Sequence, residues 1–189
     1  MTARTALRVG ALLSIAALLG GCETTVETSD GRPMPPPPRA APDTPDAAPI
    51  NAIALVLGPK PIDSNGNLRP DMIQIEAYLF SRPYPSPMHR DGSFEFEIYR
   101  VGGMGRAGEK PLRRWVVPPE RVAAMRARSL VGPSYSIGIS LLDGGATDQI
   151  GEQSVDLIAY FTPADGGERI MSMGVRTVSM ATPIIEPGR

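Results

Sequence analysis

Cysteine, histidine and tryptophan each occur once in these 189 residues, and aromatic side chains make up only 5% of them. With Cys22 as its only cysteine the chain forms no internal disulfide, so an apolar core must hold the fold together. With His89 as its only histidine, and no second cysteine, it offers no cluster of the three or four ligands that a zinc site takes. His89 sits in Pro85-Ser86-Pro87-Met88-His89-Arg90-Asp91, which reads as a surface loop where a lone histidine is solvated. Serines and Asp91 are at hand, but no GxSxG elbow presents a nucleophile. The 19 basic and 20 acidic residues are mixed along the chain and sum to −1. No basic stripe or aromatic platform offers itself to phosphates and bases, so nucleic acid is disfavoured as a partner. No apolar run approaches the roughly 20 residues of a membrane-spanning helix.

What is present begins at the amino terminus. Arg4 and Arg8 form a short positive head, and Val9 to Leu19 are almost uniformly apolar for about 11 residues before Gly20, Gly21 and Cys22. That order is the layout of a secretory signal peptide with a small-residue cleavage site. The stretch Leu19-Gly20-Gly21-Cys22 resembles the lipobox of bacterial lipoproteins, with glycine at a middle position where alanine or serine is commoner. The resemblance implies a diacylated Cys22 sulfur, cleavage between Gly21 and Cys22, and an acylated new amino terminus. The partner so implied is a lipid bilayer, met through acylated Cys22; each buried methylene adds about 0.8 kcal/mol, so two or three acyl chains make a lasting attachment. Glu23 is not the aspartate that, by family resemblance, retains many lipoproteins at the inner membrane, so the expected place is the outer membrane, facing the periplasm. Removal of residues 1–21 takes away Arg4 and Arg8 and no acid, moving the formal charge from −1 to −3.

Residues 22–49 read as a tether. Pro33, Pro35 to Pro38, Pro42, Pro45 and Pro49 stand among alanine, threonine and acid, and bulky apolar side chains are too few to offset the entropy of ordering. At about 3.1 Å per residue in polyproline II, such a stretch reaches up to roughly 80 Å. The Pro35 to Pro38 run also matches a ligand for proline-binding modules, but a spacer needs no partner.

Residues 50–183 have the size of one domain, and 184–189 read as a flexible tail. Ile53 to Leu57 is a short apolar run. Strict alternation follows: Ile73, Ile75, Ala77 and Leu79 against Gln74, Glu76 and Tyr78, then Phe94, Phe96 and Ile98 against Glu95, Glu97 and Tyr99. Period two at that length predicts half-buried strands. Leu112 to Val117, with Trp115, is a further strand. Pro118-Pro119 then ends any sheet and opens one short helix near 119–128, with Val122, Met125 and Ala123 toward the core. Tyr135, Ile137, Ile139 and Leu141 resume the alternation, followed by Val155, Leu157, Ala159 and Phe161, then Arg169 to Met173 and Val175 to Met180. With turn signals between the runs, the fold class is mainly β, a single antiparallel β-sandwich of seven or eight strands. It resembles, in architecture only, the immunoglobulin-like and transthyretin-like sandwiches of exported bacterial proteins, a likeness that carries no function.

Four patterns bear on chemistry. Gly103-Met104-Gly105-Arg106-Ala107-Gly108 spells GxGxxG, but Glu109-Lys110-Pro111 and a strand follow where a dinucleotide site needs a helix, so a glycine-rich hairpin loop is the reading. Asp63, Asn65 and Asn67 are spaced like the opening of a calcium loop, with Asp71 as a further carboxylate. Gly66 is fourth rather than sixth and Gln74 stands where glutamate belongs, so a turn is the plainer reading, with a surface calcium site as the alternative. Glu95 and Glu97, a conceivable glycosidase pair, read as solvated charge on an outward strand face. Met171, Met173 and Met180 read as core filling, with soft-metal binding as the alternative.

No catalytic, cofactor or metal residue is assigned. The sequence points to a membrane-anchored envelope lipoprotein whose β-sandwich is a binding or structural module, not an enzyme, with an envelope protein or cell-wall component as its partner. The alternative is an envelope enzyme or metal-binding carrier that gathers the glycine-rich loop, the Asp63 loop and His89 at one end of the sandwich.

Overall fold

A computed structural model describes residues 42–180; the predicted signal segment, Gly21, Cys22 and residues 181–189 lie outside them. Two antiparallel sheets face each other. The first runs β1 (Ala52–Leu57), β2 (Met72–Phe80), β6 (Pro133–Ser140), β5 (Arg126–Arg128). The second runs β4 (Arg113–Val117), β3 (Gly92–Arg100), β7 (Ser154–Pro163), with β8 (Ile170–Met171) and β9 (Arg176–Ser179) both on the far edge of β7. This is the expected sandwich, with nine strands rather than seven or eight.

The alternating residues define its core. Ile73, Ile75, Ala77 and Leu79 of β2 and Tyr135, Ile137 and Ile139 of β6 are buried against Phe94, Phe96 and Ile98 of β3 and Val155, Leu157, Ala159 and Phe161 of β7. Phe94 is the hub: its ring lies 4.9 Å from Phe161, 5.8 Å from Phe96 and 5.3 Å from Tyr135 of the opposite sheet, the last edge-on at 70°. Such tilted and edge contacts add to the area that the aromatics bury. Gly92 lets β3 start tight against β7, since a β-carbon there would meet the Thr162 carbonyl and the Phe161 ring.

The helix is shorter than expected. α1 covers Pro119–Ala124, with Pro119 in the first turn and Val122 buried, while Ala123 faces solvent. Met125 N closes it onto Arg121 O and Val122 O, and residues 126–128 then pair with β6 as the edge strand β5. Three residues with no buried side chain give no period of their own, and an alanine-arginine run looks helical in isolation.

The register places the loops at two ends, except the β8–β9 link, which lies midway along the edge of β7. Ala52 pairs with Phe80, Gly92 with Pro163, and Arg128 with Pro133, so the near end holds residues 44–51, loop 81–91, α1, the β5–β6 turn and loop 164–169, where Ala164 N bonds Asp91 O at 2.9 Å. The far end holds loop 58–71, loop 101–112 and loop 141–153, about 30 Å away along a nine-residue strand. Contacts also reach back past the expected boundary at residue 50. The Thr44 hydroxyl donates to Ser86 O at 3.2 Å, Arg90 Nη2 donates to Asp46 O at 2.7 Å and Ala48 O at 2.6 Å, and Ala48 and Ile50 are buried.

Three edges remain. β4 presents Arg113 and Arg114, and β5 presents Arg126 and Arg128. The start of β1 is covered by an Ile53–Ser172 bridge, by Met173 N on Ile53 O at 2.8 Å, and by Arg176 Nε on Leu55 O at 3.1 Å.

Candidate functional site

At the far end a groove lies between the end of β1, the loop that follows it and β9. β1 ends at Gly58-Pro59, where Gly58 N bonds Gln74 O at 2.9 Å, and the chain makes a closed excursion whose neck is Ile62 against Met72. The excursion is stiffened by carboxylates. Asp63 Oδ1 accepts from Gly66 N at 2.7 Å and Asn67 N at 3.3 Å, and its Oδ2 accepts from Leu68 N at 2.7 Å. Leu68 adopts φ 67°, a left-handed conformation rare for a leucine. Buried Asp71 accepts from Ser64 N through both oxygens, at 3.2 and 3.1 Å.

The groove so formed has a volume of about 980 Å³ and takes its lining from Leu57 to Asp63, Leu68, Pro70, Ile73, Gln74 and the β9 residues Thr177 to Ser179. Most of that lining is apolar: Leu57, Pro59, Pro61, Ile62, Leu68, Pro70, Ile73 and Val178. The β9 wall is fixed from behind. The Thr177 hydroxyl donates to Asp156 Oδ1 at 2.8 Å, and Asp156 Oδ2 accepts from Gly102 N of the β3–β4 hairpin at 2.7 Å. Size and lining fit a small-molecule or lipid-sized site of the usual kind, mostly apolar with a few polar groups at its margin.

The residues singled out from sequence are dispersed. Gly103 to Gly108 form the tip of the β3–β4 hairpin, with strands on both sides and no helix to cradle a pyrophosphate. The Asp63 loop shares this end with it, joined through loop 141–153 by Asn67 to Asp148, Arg113 to Thr147 O and Arg100 to Glu152. Asp63 spends its carboxylate on its own turn. Among the described residues no three His, Cys, Asp or Glu side chains gather as metal ligands. His89 lies at the opposite end, so the three loops do not converge.

His89 is also not simply solvated. Its Nε2 faces the carbonyls of Ala127 at 3.1 Å and Ser134 at 2.9 Å, two acceptors, so the proton sits on that nitrogen. Its ring meets the edge of Tyr135 at 5.2 Å. The residue pins loop 81–91 to β5 and β6.

Glu95 and Glu97 depart from the expected solvated pair as well. Glu97 is buried. Arg114 bonds Glu95 at 2.8 Å and lies 3.7 Å from Glu97, Arg169 bonds Glu95 at 2.7 Å while stacking over Tyr160 at 3.6 Å, and the Tyr99 hydroxyl donates to Glu97 at 2.7 Å. Burial pushes the Glu95 carboxyl up, but the Arg114 hydrogen bond and the charges of Arg169 and Arg114 outweigh it, and the net shift is downward. Burial, followed by the Glu97 hydrogen bond and charge, pushes the Tyr99 phenol up to about 12. Held ionised by two guanidiniums, Glu95 is unsuited to act as a general acid.

Met171 and Met173 face solvent rather than the core; only Met180 is buried. The Met173 sulfur receives Arg82 Nη2.

The groove was not legible as a site. Its one signal was a set of apolar and proline residues, Pro59, Pro61, Ile62, Leu68 and Pro70, in a loop that no strand claims. The described fold and groove define a class: a two-sheet antiparallel sandwich with an apolar cleft at one end. No family model, curated protein or solved structure matches the chain.

Proposed function

We propose that this chain is a lipid-anchored protein of the cell envelope whose sandwich binds an apolar or amphiphilic ligand in the far-end groove. The observation that carries binding is the groove itself, an apolar cleft of about 980 Å³ walled by a stiffened loop and a braced strand. The anchor rests on Leu19-Gly20-Gly21-Cys22 and on the positive and apolar segments before it. No helix among the described residues is long and apolar enough to cross a membrane, and a lipid anchor needs none. The outer membrane, facing the periplasm, is the proposed site, from Glu23.

Two measurements test the two halves. In a bacterium fed an alkyne-tagged fatty acid, the full chain takes up label and sediments with membranes, whereas Cys22→Ser takes up none and moves to the soluble fraction; equal labelling of both would refute the anchor. An apolar fluorescent probe such as N-phenylnaphthylamine brightens with the full chain, and Ile62→Trp, which fills the cleft mouth, weakens that binding. Unchanged binding by the variant would refute the groove.

A further inference from the structure

The β5–β6 turn Ser129-Leu130-Val131-Gly132 carries two consecutive aliphatic side chains at its tip. Leu130 is fully exposed and Val131 is 61% exposed. Tight turns ordinarily use polar residues and glycine, as at Ala164-Asp165-Gly166-Gly167, and nothing in this tip serves the core. The turn is nevertheless built firmly. Ser129 N bonds Gly132 O at 2.9 Å, Val131 N bonds the Ser129 hydroxyl at 3.1 Å, and that hydroxyl also bonds the Tyr78 hydroxyl at 3.0 Å. Gly132, at φ 134°, rests against the Pro87 ring.

The position of this tip is informative. Thr44 is tied to Ser86, whose neighbour Pro87 supports Gly132, so the chain that leads from Cys22 joins the sandwich beside Leu130. Residues 125–134 hold two arginines and no acid. Arg126 is engaged by Asp91 at 2.6 Å, while Arg128 is exposed and forms no ion pair among the described residues. An aliphatic tip with a cation behind it suits the boundary between acyl chains and phosphate headgroups.

We infer that Leu130 and Val131 are a bilayer-contact site, seating the near end of the sandwich on the phospholipid surface to which Cys22 is anchored, with Arg128 toward lipid phosphate. This rests on the anchored reading given above. Residues 22–43 span at most about 70 Å at about 3.1 Å per residue, so the domain is confined close enough to meet the surface repeatedly. The groove then faces away from the bilayer.

The test uses the acylated full chain in vesicles of phosphatidylethanolamine and phosphatidylglycerol. With Cys22 acylated, Leu130→Cys is the only reactive thiol and takes an environment-sensitive dye; Arg106→Cys, in the far-end hairpin, is the comparison site. The expected result is a blue shift and loss of iodide quenching at position 130, with neither at position 106. An aqueous spectrum at 130 in a chain whose mass shows acylation overturns the contact and leaves the anchor standing. An unmodified Cys22 overturns both. A shift at 130 that appears without vesicles and grows with protein concentration assigns the tip to a second copy of the chain and overturns the bilayer contact.

Discussion

Replacing Tyr135 by phenylalanine isolates one hydroxyl at the near end of the domain. The ring is fully buried between Phe94 and His89, and phenylalanine keeps it. What is lost is a pair of 2.7 Å hydrogen bonds: the hydroxyl donates to Arg90 O and accepts from Arg90 N. Each backbone group left without a partner costs about 1–3 kcal/mol when buried. The Arg90 backbone is half-buried and regains part of that from water, so the expected destabilisation is about 2 kcal/mol. For a domain of this size that lowers the melting temperature by roughly 8 °C. Urea unfolding followed by Trp115, the single tryptophan, reads it directly: the midpoint should fall with an unchanged slope, because the surface exposed on unfolding is the same. Tyr135→Leu, which also removes the ring contacts, should cost about 1–3 kcal/mol more. A Tyr135→Phe midpoint within about 0.5 kcal/mol of the parent would show that loop 81–91 is not held by this hydroxyl.

Three other outcomes are expected. Because Glu95 has a folded value below its ordinary 4.5, its stabilisation is present above that pH and is lost as pH falls through the folded value. Urea midpoints taken across the acid range should therefore drop less steeply for Glu95→Gln than for the parent, and parallel curves would contradict the Arg114 and Arg169 pairing. Gly92→Ala forces a methyl into the Thr162 carbonyl and Phe161 ring and should cost about 1–3 kcal/mol as strain between β3 and β7; a neutral result in thermal melts would contradict that close approach. Ser134 has a buried hydroxyl with no hydrogen-bond partner among the described residues, so Ser134→Ala should hold stability or raise it by up to about 1 kcal/mol, and a loss beyond that in the same melts would reveal a partner.

How far the sequence was readable follows from which interactions are local. β2, β3, β6 and β7 announce themselves because Ile73 to Leu79, Phe94 to Ile98, Tyr135 to Ile139 and Val155 to Phe161 alternate long enough for the two faces to separate. β5 stays hidden because Arg126, Ala127 and Arg128 form a strand only through pairing with β6. The docking of residues 44–48 depends on the Arg90 guanidinium, some 40 positions later, and no pattern in a proline-rich stretch reveals it. The same holds for His89, whose two carbonyl partners come from other strands, and for the Glu95 network, where residues expected to be solvated are drawn into ion pairs by Arg114 and Arg169. The groove is the extreme case, since its two walls are separated by more than 100 residues. The lipobox-like stretch Leu19-Gly20-Gly21-Cys22, in contrast, is contiguous in sequence, and it falls outside the described residues.

The arginines on the sheet margins matter most when many copies share one surface. Proteins fixed to a membrane are restricted to two dimensions, where encounters are frequent and orientations are aligned, conditions that favour pairing of one open strand with another. β4 and β5 meet such an encounter with Arg113 and Arg128, since Arg114 and Arg126 are paired with acids, and like charges brought edge to edge repel. If the chain is anchored as proposed, these charges would keep neighbouring sandwiches from stacking into a continuous sheet.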